Sequence, residues 1–511
     1  MPGEPLYRQV AARLRDRVAI GELSLGQRLP PIREMARSLA LSHITVSRAY
    51  RVLQDEGIMR ATPGQGTIVV SDTGTGGTLR AHARDQESAD DAGERDQAPI
   101  WPSFVRSPRG SLLHAAAAPA TGGGFAGALI HLGTGQPDAA LLPLASLRCA
   151  WTAALRDASP TDLLYAGPQG ERAVRAALAE YCASVGYAAA PEEVLVTTGT
   201  QQAIDLVIRT FIQPGEHVLV ESPGYPSALD LLESHGCRLV PVPVDADGLR
   251  VDLLPGVIAR FQPRLLYLAP TGHNPTGSVL SAQRREALRT LLRDAHLLVL
   301  EDDVCSEFLY EGQPQQGVRT VQTRGHVITL KSFAKTVLPG LRVGCLLAAP
   351  PLLGPLAATK ALTDRFTSPL AQHALRRYLQ GRSVRADLAR AREAYQERRD
   401  VLVAELTRVL PSEIRWTLPQ AGLNLWLTLP AGHEMGEVWR LAAARGVLCA
   451  PGAAFSPFPD SAAPALRLTF ADSPPSQLVA GARRLADTLG VLSAQPDQPG
   501  RRDPGSLPVS V

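Results

Sequence analysis

Short apolar runs alternate with helical stretches from about residue 128 onward, and this alternation most constrains what the chain can fold into. Four runs are continuous and apolar enough to be buried strands: HVLVESPGY, RLLYLAPTG, HLLVLEDD and HVITLKS. Stretches with helical spacing, such as SAQRREALRTLLRDA, occur among them. The pattern predicts a mainly parallel α/β sheet. From about residue 372 the chain turns helical and then gives a small α+β region.

A different pattern occupies the first 70 residues. Residues 5–20 have helical spacing, a short helix is expected to follow Pro31, and Ser42 is placed to cap a third helix that Gly57 closes. The segment RATPGQGTIVV then reads as a hairpin. Three helices with a tight turn between the last two, followed by a hairpin, predict a winged helix-turn-helix.

The length of 511 residues favours two or more domains. We expect the winged helix over 3–71 and the α/β domain with its small subdomain over 125–490. The segment 72–124 is rich in Gly, Ser, Ala and Asp and predicts a flexible linker, apart from IWPSFVR, which can dock on a domain. The polar segment 491–511 predicts a disordered tail.

Charge and cysteine usage bound the environment of the chain. The first 70 residues carry ten arginines against six acidic residues, whereas the remainder is nearly neutral, which favours a polyanion partner for the first segment alone. No run is long and apolar enough for a membrane span, and no signal segment is expected. The six cysteines are scattered, which favours a reducing cytosol over a disulfide framework or a metal site. We therefore expect a cytoplasmic protein, associated with the nucleoid.

Lysine is rare in this chain. Lys331, Lys335 and Lys360 are its only lysines, and the first two are four residues apart. Arginine, the default cation here, binds anions but does not lose its proton to act as a nucleophile. Lys335 is thus a candidate for a lysine kept for its amine. Lys331 is interpreted as a surface or strand-end charge.

Polar loops follow the predicted strands, and parallel strands bring such loops together at one edge of a sheet. The run Thr197–Gln201 can offer hydroxyls and backbone N–H groups to a phosphate at a helix N-terminus. Ser332 and Arg342 flank Lys335 and can reach the same phosphate. Taken alone, the first run is also explained as an ordinary turn.

Three further side chains suit a planar ring. Tyr225 offers an aromatic face, and Asn274, in the run HNPTG, can donate from its amide. Asp302 ends a strand and can keep a pyridine nitrogen protonated, which makes the ring an electron sink. Each has an ordinary alternative as a packing residue, a turn or a loop cap. Together with Lys335 they predict a site for pyridoxal phosphate (PLP).

Residues 128–489 resemble fold-type I aminotransferases through GTGQPD, YAGPQGERAVRAALAEY, TTGTQQA, PGYP, HNPTG, EDD, SFAKTVLPGLRVG and LRLTF. The resemblance implies that Lys335 forms a Schiff base with PLP and that Asp302 binds the ring nitrogen. It implies that Asn274 binds the ring hydroxyl and that Tyr225 stacks on the ring. It assigns four residues to the phosphate: Thr200, Gln201, Ser332 and Arg342.

Two more positions match the family at the edges of the site. Tyr165 matches a tyrosine that reaches the phosphate of a neighbouring subunit, which implies a homodimer. Arg467 matches the arginine that binds a substrate carboxylate by a bidentate fork. Val304 departs from the pattern, because related regulators read EDDY and use that tyrosine hydroxyl on the ring oxygen. We expect a perturbed cofactor and weak or absent transamination.

The first domain resembles the GntR-type winged helix through LYRQVAARLRDRV, LPPIREMARSLALS, TVSRAYRVLQDEG and GQGTIV. The resemblance implies that the helix after Ser42 enters the major groove and that the hairpin tip near Gly66 touches the minor groove or backbone. It implies a set of DNA-facing residues: Arg33, Ser42, His43, Thr45, Ser47 and Arg48. Arg37 and Arg51 are interpreted as solvated charges. His43 and Ile44 depart from common family residues and leave the operator preference open.

The order of a GntR reader, a long linker and an aminotransferase-like domain is similar to the MocR group of bacterial regulators. The leading hypothesis is a head-to-tail homodimeric transcription regulator that binds operator DNA and senses PLP, or a small amine or amino acid, by Schiff-base chemistry at Lys335. A working aminotransferase with an auxiliary DNA-binding domain is the alternative. A DNA-bound scaffold with a vestigial site is a third. The effector, the target genes and the sign of regulation stay open.

Overall fold

The computed structural model describes residues 6–19, 29–32, 35–36, 41–55, 58–62, 66–69, 109, 112–113 and 129–494. The chain divides into two compact units, Met1–Pro102 and Ser103–Val511.

The N-terminal unit contains two helices and a hairpin within its described residues: α1 (Leu6–Ala19), α2 (His43–Asp55), β1 (Met59–Thr62) and β2 (Gly66–Val69). The two strands are antiparallel, with Thr62 opposite Gly66. Ser42 caps α2, since its hydroxyl accepts the backbone N–H of Thr45 at 3.1 Å. The predicted helix after Pro31 lies mostly outside the described residues, as does Gly57.

A small apolar core holds this unit together. Val10, Leu14 and Val18 recur at four-residue spacing on α1 and are buried, as the periodicity predicts. They pack in one cluster with Val46 and Leu53 of α2. The winged-helix prediction is thus confirmed by a helix pair and a hairpin that share one core.

The C-terminal unit is built on an eight-stranded sheet. Its strands are β4 (Val194–Thr197), β5 (His217–Ser222), β6 (Arg238–Asp245), β7 (Gly248–Leu249), β8 (Leu265–Leu268), β9 (Leu298–Asp303), β10 (Val327–Ser332) and β11 (Gly344–Leu347). Their spatial order is β4-β11-β10-β9-β8-β5-β6-β7. The strands β10, β9, β8, β5 and β6 form a parallel run, and β11 and β7 are antiparallel to their neighbours. The mainly parallel sheet is therefore confirmed.

Helices connect and cover the strands. They are α3 (Leu144–Asp157), α4 (Arg172–Ser184), α5 (Thr200–Phe211), α6 (Pro226–Ser234), α7 (Leu254–Phe261), α8 (Ala282–Asp294), α9 (Pro350–Thr363), α10 (Pro369–Leu379), α11 (Val384–Val409), α12 (Met435–Ala444) and α13 (Pro475–Ala494). Strands β4 and β8 are buried at every position, which explains their continuous apolar sequence.

The small subdomain has an antiparallel sheet of β12 (Arg415–Trp416), β13 (Asn424–Thr428), β16 (Ala465–Thr469) and β15 (Ala450–Pro451), in that order. A separate parallel pair joins β3 (Ile130–His131) to β14 (Val447–Leu448). This pair ties the start of the C-terminal unit to its small subdomain. The predicted α+β region is confirmed.

Three residues of the predicted linker belong to the C-terminal unit. Arg109 is fully buried. Leu112 and Leu113 are half-buried and pack against Ala450, Ala454 and Phe455 of this unit. A flexible linker over the whole of 72–124 is therefore wrong at these positions, because a guanidinium and two leucines are fixed by packing there. The other linker residues lie outside the described ones. At the other end, α13 runs to Ala494, four residues into the predicted tail.

Within the described residues, no helix has the length and apolar character needed to cross a membrane. No group of three or more His, Cys, Asp or Glu side chains in that part of the chain is arranged to hold a metal ion.

Candidate functional site

A cavity of about 610 Å³ opens at the carboxyl edge of the large sheet. Nine residues singled out from the sequence line it together: Thr200, Gln201, Tyr225, Asn274, Asp302, Ser332, Lys335, Arg342 and Arg467. They come from six separate loops and strands, and the parallel strands bring them together as the topology requires. The convergence of the predicted side chains is the main geometric finding.

Lys335 is held just after β10 by a single strong contact. Its Nζ donates to the carbonyl of Gly135 at 2.7 Å. Burial is the main cause that lowers the pKa of Lys335, and the charge of nearby Arg467 lowers it further. A lowered pKa increases the share of neutral amine, which is the nucleophilic form.

Lys331 has the opposite environment: it is a charge at the end of a strand, as one of its two interpretations had it, but it does not lie on the surface. It is fully buried at the end of β10, with Nζ 2.8 Å from both Asp303 Oδ2 and Glu307 Oε2. Burial alone would lower the pKa of Lys331, but these two carboxylates outweigh it and raise that pKa. Lys331 is therefore a buried, ion-paired ammonium group that links β10 to the end of β9. The two amines are separated because β10 ends at Ser332, so Lys331 lies within the strand and Lys335 lies in the turn that follows it.

Asp302 is the second-last residue of β9. One of its carboxylate oxygens accepts a hydrogen bond, and the other has no hydrogen-bond partner. Tyr267 donates to Oδ2 at 2.5 Å, whereas Oδ1 is buried without a hydrogen-bond partner. Burial raises the pKa of Asp302 to about 7. A buried acceptor of this kind is costly unless a ligand donates to it.

Arg467 lies on β16 with its guanidinium inside the cavity. Nη1 donates to Asn274 Oδ1 at 3.3 Å, and Nη2 donates to the carbonyl of Gly133. The guanidinium carbon lies 4.9 Å from the ring centre of Phe455. Burial lowers the pKa of Arg467 to about 10, and no carboxylate among the described residues lies within 4.0 Å of it. This charge is placed to receive an anion.

The side of the cavity predicted to bind a phosphate surrounds the start of α5. Gly199 precedes the helix with φ +93°, and a Cβ there would lie 2.9 Å from Nη2 of Arg342. Arg342 itself is in the left-handed region, with φ 52°, and donates to the carbonyl of Thr198 at 3.1 Å. The glycine therefore lets a guanidinium approach a helix N-terminus, where backbone N–H groups favour an anion.

The ring-facing residues lie between these two ends. Tyr225 is half-buried, and burial is the main cause that raises the pKa of its hydroxyl. The oxygen of Asn274 accepts from Arg467, so its amide N–H groups are the ones available as donors. Val304, the position at which the family resemblance led us to expect a tyrosine, lines the cavity beside Cys305, and neither side chain supplies a hydroxyl.

Tyr165 does not lie in the cavity. It is 85% exposed, and its ring packs edge-on against Phe366 with centroids 5.6 Å apart. This position fits a residue that acts on another subunit, so the assignment stays a prediction.

The N-terminal unit presents its predicted DNA face on α2. Ser42, His43 and Arg48 are exposed, and Thr45 and Ser47 are half-buried. Val46, Ala49 and Leu53 fill the opposite face. Arg33 lies outside the described residues, and Gly66 begins β2. The roles of these residues in DNA binding stay predictions.

Several residues of the site were not predicted from the sequence. Tyr267 and Asp302 face each other because Tyr267 pairs with Leu300 across β8 and β9, two positions before Asp302. Strand parity could have identified Tyr267. The carbonyl of Gly135 lies in the run GTGQPD, which the family resemblance includes without a role for this residue, and the side chain of Leu113 comes from a segment that no local signal marks.

The comparisons with known proteins agree with this geometry. The family described as aminotransferase class I and II matches residues 128–485, and the bacterial regulatory gntR family matches residues 6–69. The chain belongs to the class I and II aminotransferase family. It joins a gntR-family DNA-binding domain to an aminotransferase domain of the PLP-dependent type.

Relatives of this aminotransferase-family chain include regulators and enzymes. It is 31% identical to a probable rhizopine catabolism regulatory protein MocR of Rhizobium meliloti over 88% of this chain and 86% of the relative. It is 34% identical to a 2-aminoadipate transaminase of Thermus thermophilus over 72% of this chain and 91% of the relative. A solved structure of LysN, the α-aminoadipate aminotransferase from Thermus thermophilus complexed with N-(5'-phosphopyridoxyl)-L-leucine, matches with a TM-score of 0.66 and 32% identity. That match covers 72% of this chain and 93% of the LysN chain. The regulator relative shares both domains.

Proposed function

We propose that this chain is a transcription regulator whose aminotransferase-like domain binds PLP through Lys335 and senses a small amino compound, or PLP itself. The observation that carries the proposal is the joint placement of Lys335, Asp302 and Arg467 in one cavity, in a chain that also carries a DNA-binding helix. A plain scaffold has no use for three buried ionisable groups that form hydrogen bonds but no ion pair among the described residues.

The residues present fit PLP. The free oxygen of Asp302 suits a protonated ring nitrogen, and the Asn274 amide suits the ring oxygen. The start of α5 and the guanidinium of Arg342 suit the phosphate. When bound, PLP supplies an electrophilic carbon and an electron-withdrawing ring.

Each chain residue then has a defined task. Lys335 is held by the carbonyl of Gly135, and its lowered pKa favours the neutral amine that attaches the cofactor. The carboxylate of Asp302 would accept a hydrogen bond from the protonated ring nitrogen at its buried Oδ1, which has no other donor among the described residues. Arg467 positions the carboxylate of an amino acid beside Lys335.

Attachment of PLP is tested by reducing the loaded protein with borohydride, digesting it and mapping the modified lysine. The chain offers three candidates, so the experiment contains its own controls. We expect the modification on Lys335 alone, because Lys331 and Lys360 are held in ion pairs with Asp303 and Asp364. Modification of either other lysine, or of none, would contradict the proposal.

DNA binding is tested by footprinting the DNA next to the chain's own gene, with and without PLP and candidate amines. Arg48 and Arg51 are both exposed on α2 and form a matched pair. Replacing Arg48 with alanine is expected to weaken operator binding by about 1–3 kcal/mol if it contacts a guanine. The same change at Arg51 should alter binding little. Equal losses at both positions would show only a general charge effect.

A working aminotransferase is the second candidate. It is supported by Arg467 and by the transaminase relative, and it is opposed by Val304, which cannot donate to the ring oxygen. Steady turnover of an amino acid with a keto acid would favour the enzyme. Replacing Val304 with tyrosine should raise any slow turnover if the missing hydroxyl is what limits it.

We also propose that the chain forms a homodimer. Leu164 and Tyr165 are 65% and 85% exposed, and Leu362 is 90% exposed. Apolar side chains exposed to this degree favour burial against a second copy. Light scattering measures the mass of the purified protein in solution. A mass equal to that of one chain would contradict this proposal.

A further inference from the structure

The segment that leads from the linker into the C-terminal unit is fastened at Arg109. This guanidinium is fully buried and makes contacts to two separate parts of the unit. Nη1 lies 2.9 Å from Asp230 Oδ1 and 2.7 Å from Glu233 Oε2, and Nη2 donates to Glu233 Oε1 at 3.0 Å. Nε and Nη2 also donate to the carbonyls of Ser456 and Pro457. A fork with all of its arms bound to charged or carbonyl groups is a rigid anchor.

Two leucines carry the segment from this anchor to the cavity. The backbone is helical at Arg109, Leu112 and Leu113, so these residues, three and four positions apart, share one face. Both leucines pack on the cluster of Ala450, Ala454 and Phe455. Leu113 lines the cavity that contains Lys335, and Leu112 does not.

The same cluster supports Arg467. Ala450 is directly opposite Arg467 in the pairing of β15 with β16, and the Phe455 ring lies under its guanidinium. Leu113 is therefore packed on the residues that hold the carboxylate-binding group. A carboxylate bound by Arg467 would therefore lie close to the apolar wall that this cluster forms.

The wall is apolar. Leu113, Leu448 and Ala450 line the cavity on this side. The described lining residues include two arginines, Arg342 at the phosphate end and Arg467 itself. Neither arginine is left to bind an acidic side chain, and His131, which also lines the cavity beside Leu448, is exposed to solvent, so an apolar side chain is favoured.

We propose that the effector is an α-amino acid with an apolar side chain and that Leu113 is one of its contacts. This inference rests on the proposed function. It assigns a ligand class to the cavity already described and a path by which ligand binding is coupled to the linker. The ligand touches the same short helical segment whose sequence continues, through the linker, to the DNA-binding domain. Occupation of the cavity would therefore change the contacts of that segment, and coupling to DNA binding requires that the ligand bind the DNA-bound and DNA-free states with different affinity.

The test titrates the PLP-loaded full-length protein with L-leucine, L-phenylalanine and L-aspartate. The visible spectrum of the bound cofactor reports ligand binding, and operator binding is measured in the same solutions. For the wild type we expect the two apolar amino acids to bind at least tenfold more tightly than aspartate and to shift operator affinity. The matched variants are Leu113→Ala and Leu112→Ala, because both leucines share the cluster and only one reaches the cavity.

Leu113→Ala should weaken leucine binding about five- to tenfold, because it removes buried methylene contacts with the ligand. It should change aspartate binding less than twofold, and Leu112→Ala should change both less than twofold. Arg109→Met should keep ligand binding within twofold of the wild type and abolish the ligand's effect on operator binding. Glu233→Gln, a milder change at the same anchor, should reduce that effect in part and serves if the first variant folds poorly.

The outcomes separate the two levels of the argument. If no amino acid alters the spectrum of the loaded wild type, the proposed function fails and this inference fails with it. If the wild type responds but the two leucine variants behave alike, or aspartate is preferred, the assigned ligand class and contact are wrong and the proposed function stands. If the ligand still shifts operator affinity in both anchor variants, the route through Arg109 is wrong.

Discussion

Replacing Asp302 with asparagine should stabilise the PLP-free protein at alkaline pH. The carboxyl group is buried and its pKa is about 7, against an ordinary value of 3.8. Because the folded-state pKa is raised, the group's contribution to stability is fully present below pH 4 and is lost as the pH rises through about 7. At 1.36 kcal/mol per pKa unit, the loss approaches about 4 kcal/mol at high pH. Asparagine has the same shape and cannot ionise.

The measurable quantity is the difference in the free energy of unfolding between the variant and the wild type. From pH 5 to pH 8 this difference should increase by about 3 kcal/mol in favour of the variant. Urea unfolding followed by tryptophan fluorescence suits the assay, because four of the five tryptophans, Trp151, Trp416, Trp426 and Trp439, belong to the C-terminal unit. The substitution can also change the hydrogen bond that Tyr267 donates to residue 302. That change adds a term to the difference in unfolding free energy that does not vary with pH in this range.

Asp252→Asn is the control. This exposed carboxylate is bound by Arg250, whose hydrogen bond lowers the pKa of Asp252, so its contribution is already complete above pH 4 and should be flat from pH 5 to pH 8. PLP should reverse the ranking of the Asp302 variant, because the ring nitrogen loses its anionic partner and cofactor binding weakens by about 2–5 kcal/mol. A difference for Asp302→Asn that stays flat with pH would refute the idea that burial of this carboxylate is uncompensated.

Three further changes test other parts of the site. Lys331→Met should lower the free energy of unfolding by about 3–5 kcal/mol, measured by urea unfolding, because it leaves Asp303 and Glu307 buried without their cation. Arg467→Gln should leave PLP loading intact and weaken L-leucine binding by about 2–5 kcal/mol in spectral titration, since the carboxylate loses its charged partner. Gly199→Ala should lower PLP affinity more than Gly215→Ala, measured by equilibrium dialysis, because both glycines have positive φ but only a Cβ at 199 meets Arg342.

The periodic parts of the fold could be predicted from the sequence. Strands such as Val327–Ser332 are continuous and apolar because both faces of a parallel sheet are covered, and this pattern survives any detail of packing. The positions of Lys335 and Asp302 follow from the same logic, since residues after parallel strands meet at one edge. The sequence therefore predicted which residues gather in the cavity.

The environment of each charge could not be predicted in the same way. Lys331 and Lys335 have similar neighbours in sequence, yet one amine lies between two carboxylates and the other faces a carbonyl. The partners Glu307 and Gly135 come from segments 24 and 200 positions away. The buried Arg109 was missed for a related reason, because a polar, glycine-rich neighbourhood suggests no packing and its partners lie more than 100 positions further on.

The charges of the cavity define the ligand that completes it. Asp302 has a buried oxygen without a donor, Arg467 has a buried guanidinium without an anion, and Arg342 meets a helix N-terminus at the far end. A molecule that satisfies all three carries a protonated ring nitrogen, a carboxylate and a phosphate. No single small metabolite needs to carry the set, because the amine of Lys335 would hold a phosphate-bearing aldehyde in the cavity, and the amine of an incoming amino acid would replace the lysine amine on that aldehyde. Sequential binding of a cofactor and an amino acid therefore explains the charges without ion-pair partners better than a structural role does. Leu113 lines the cavity and would contact the amino acid.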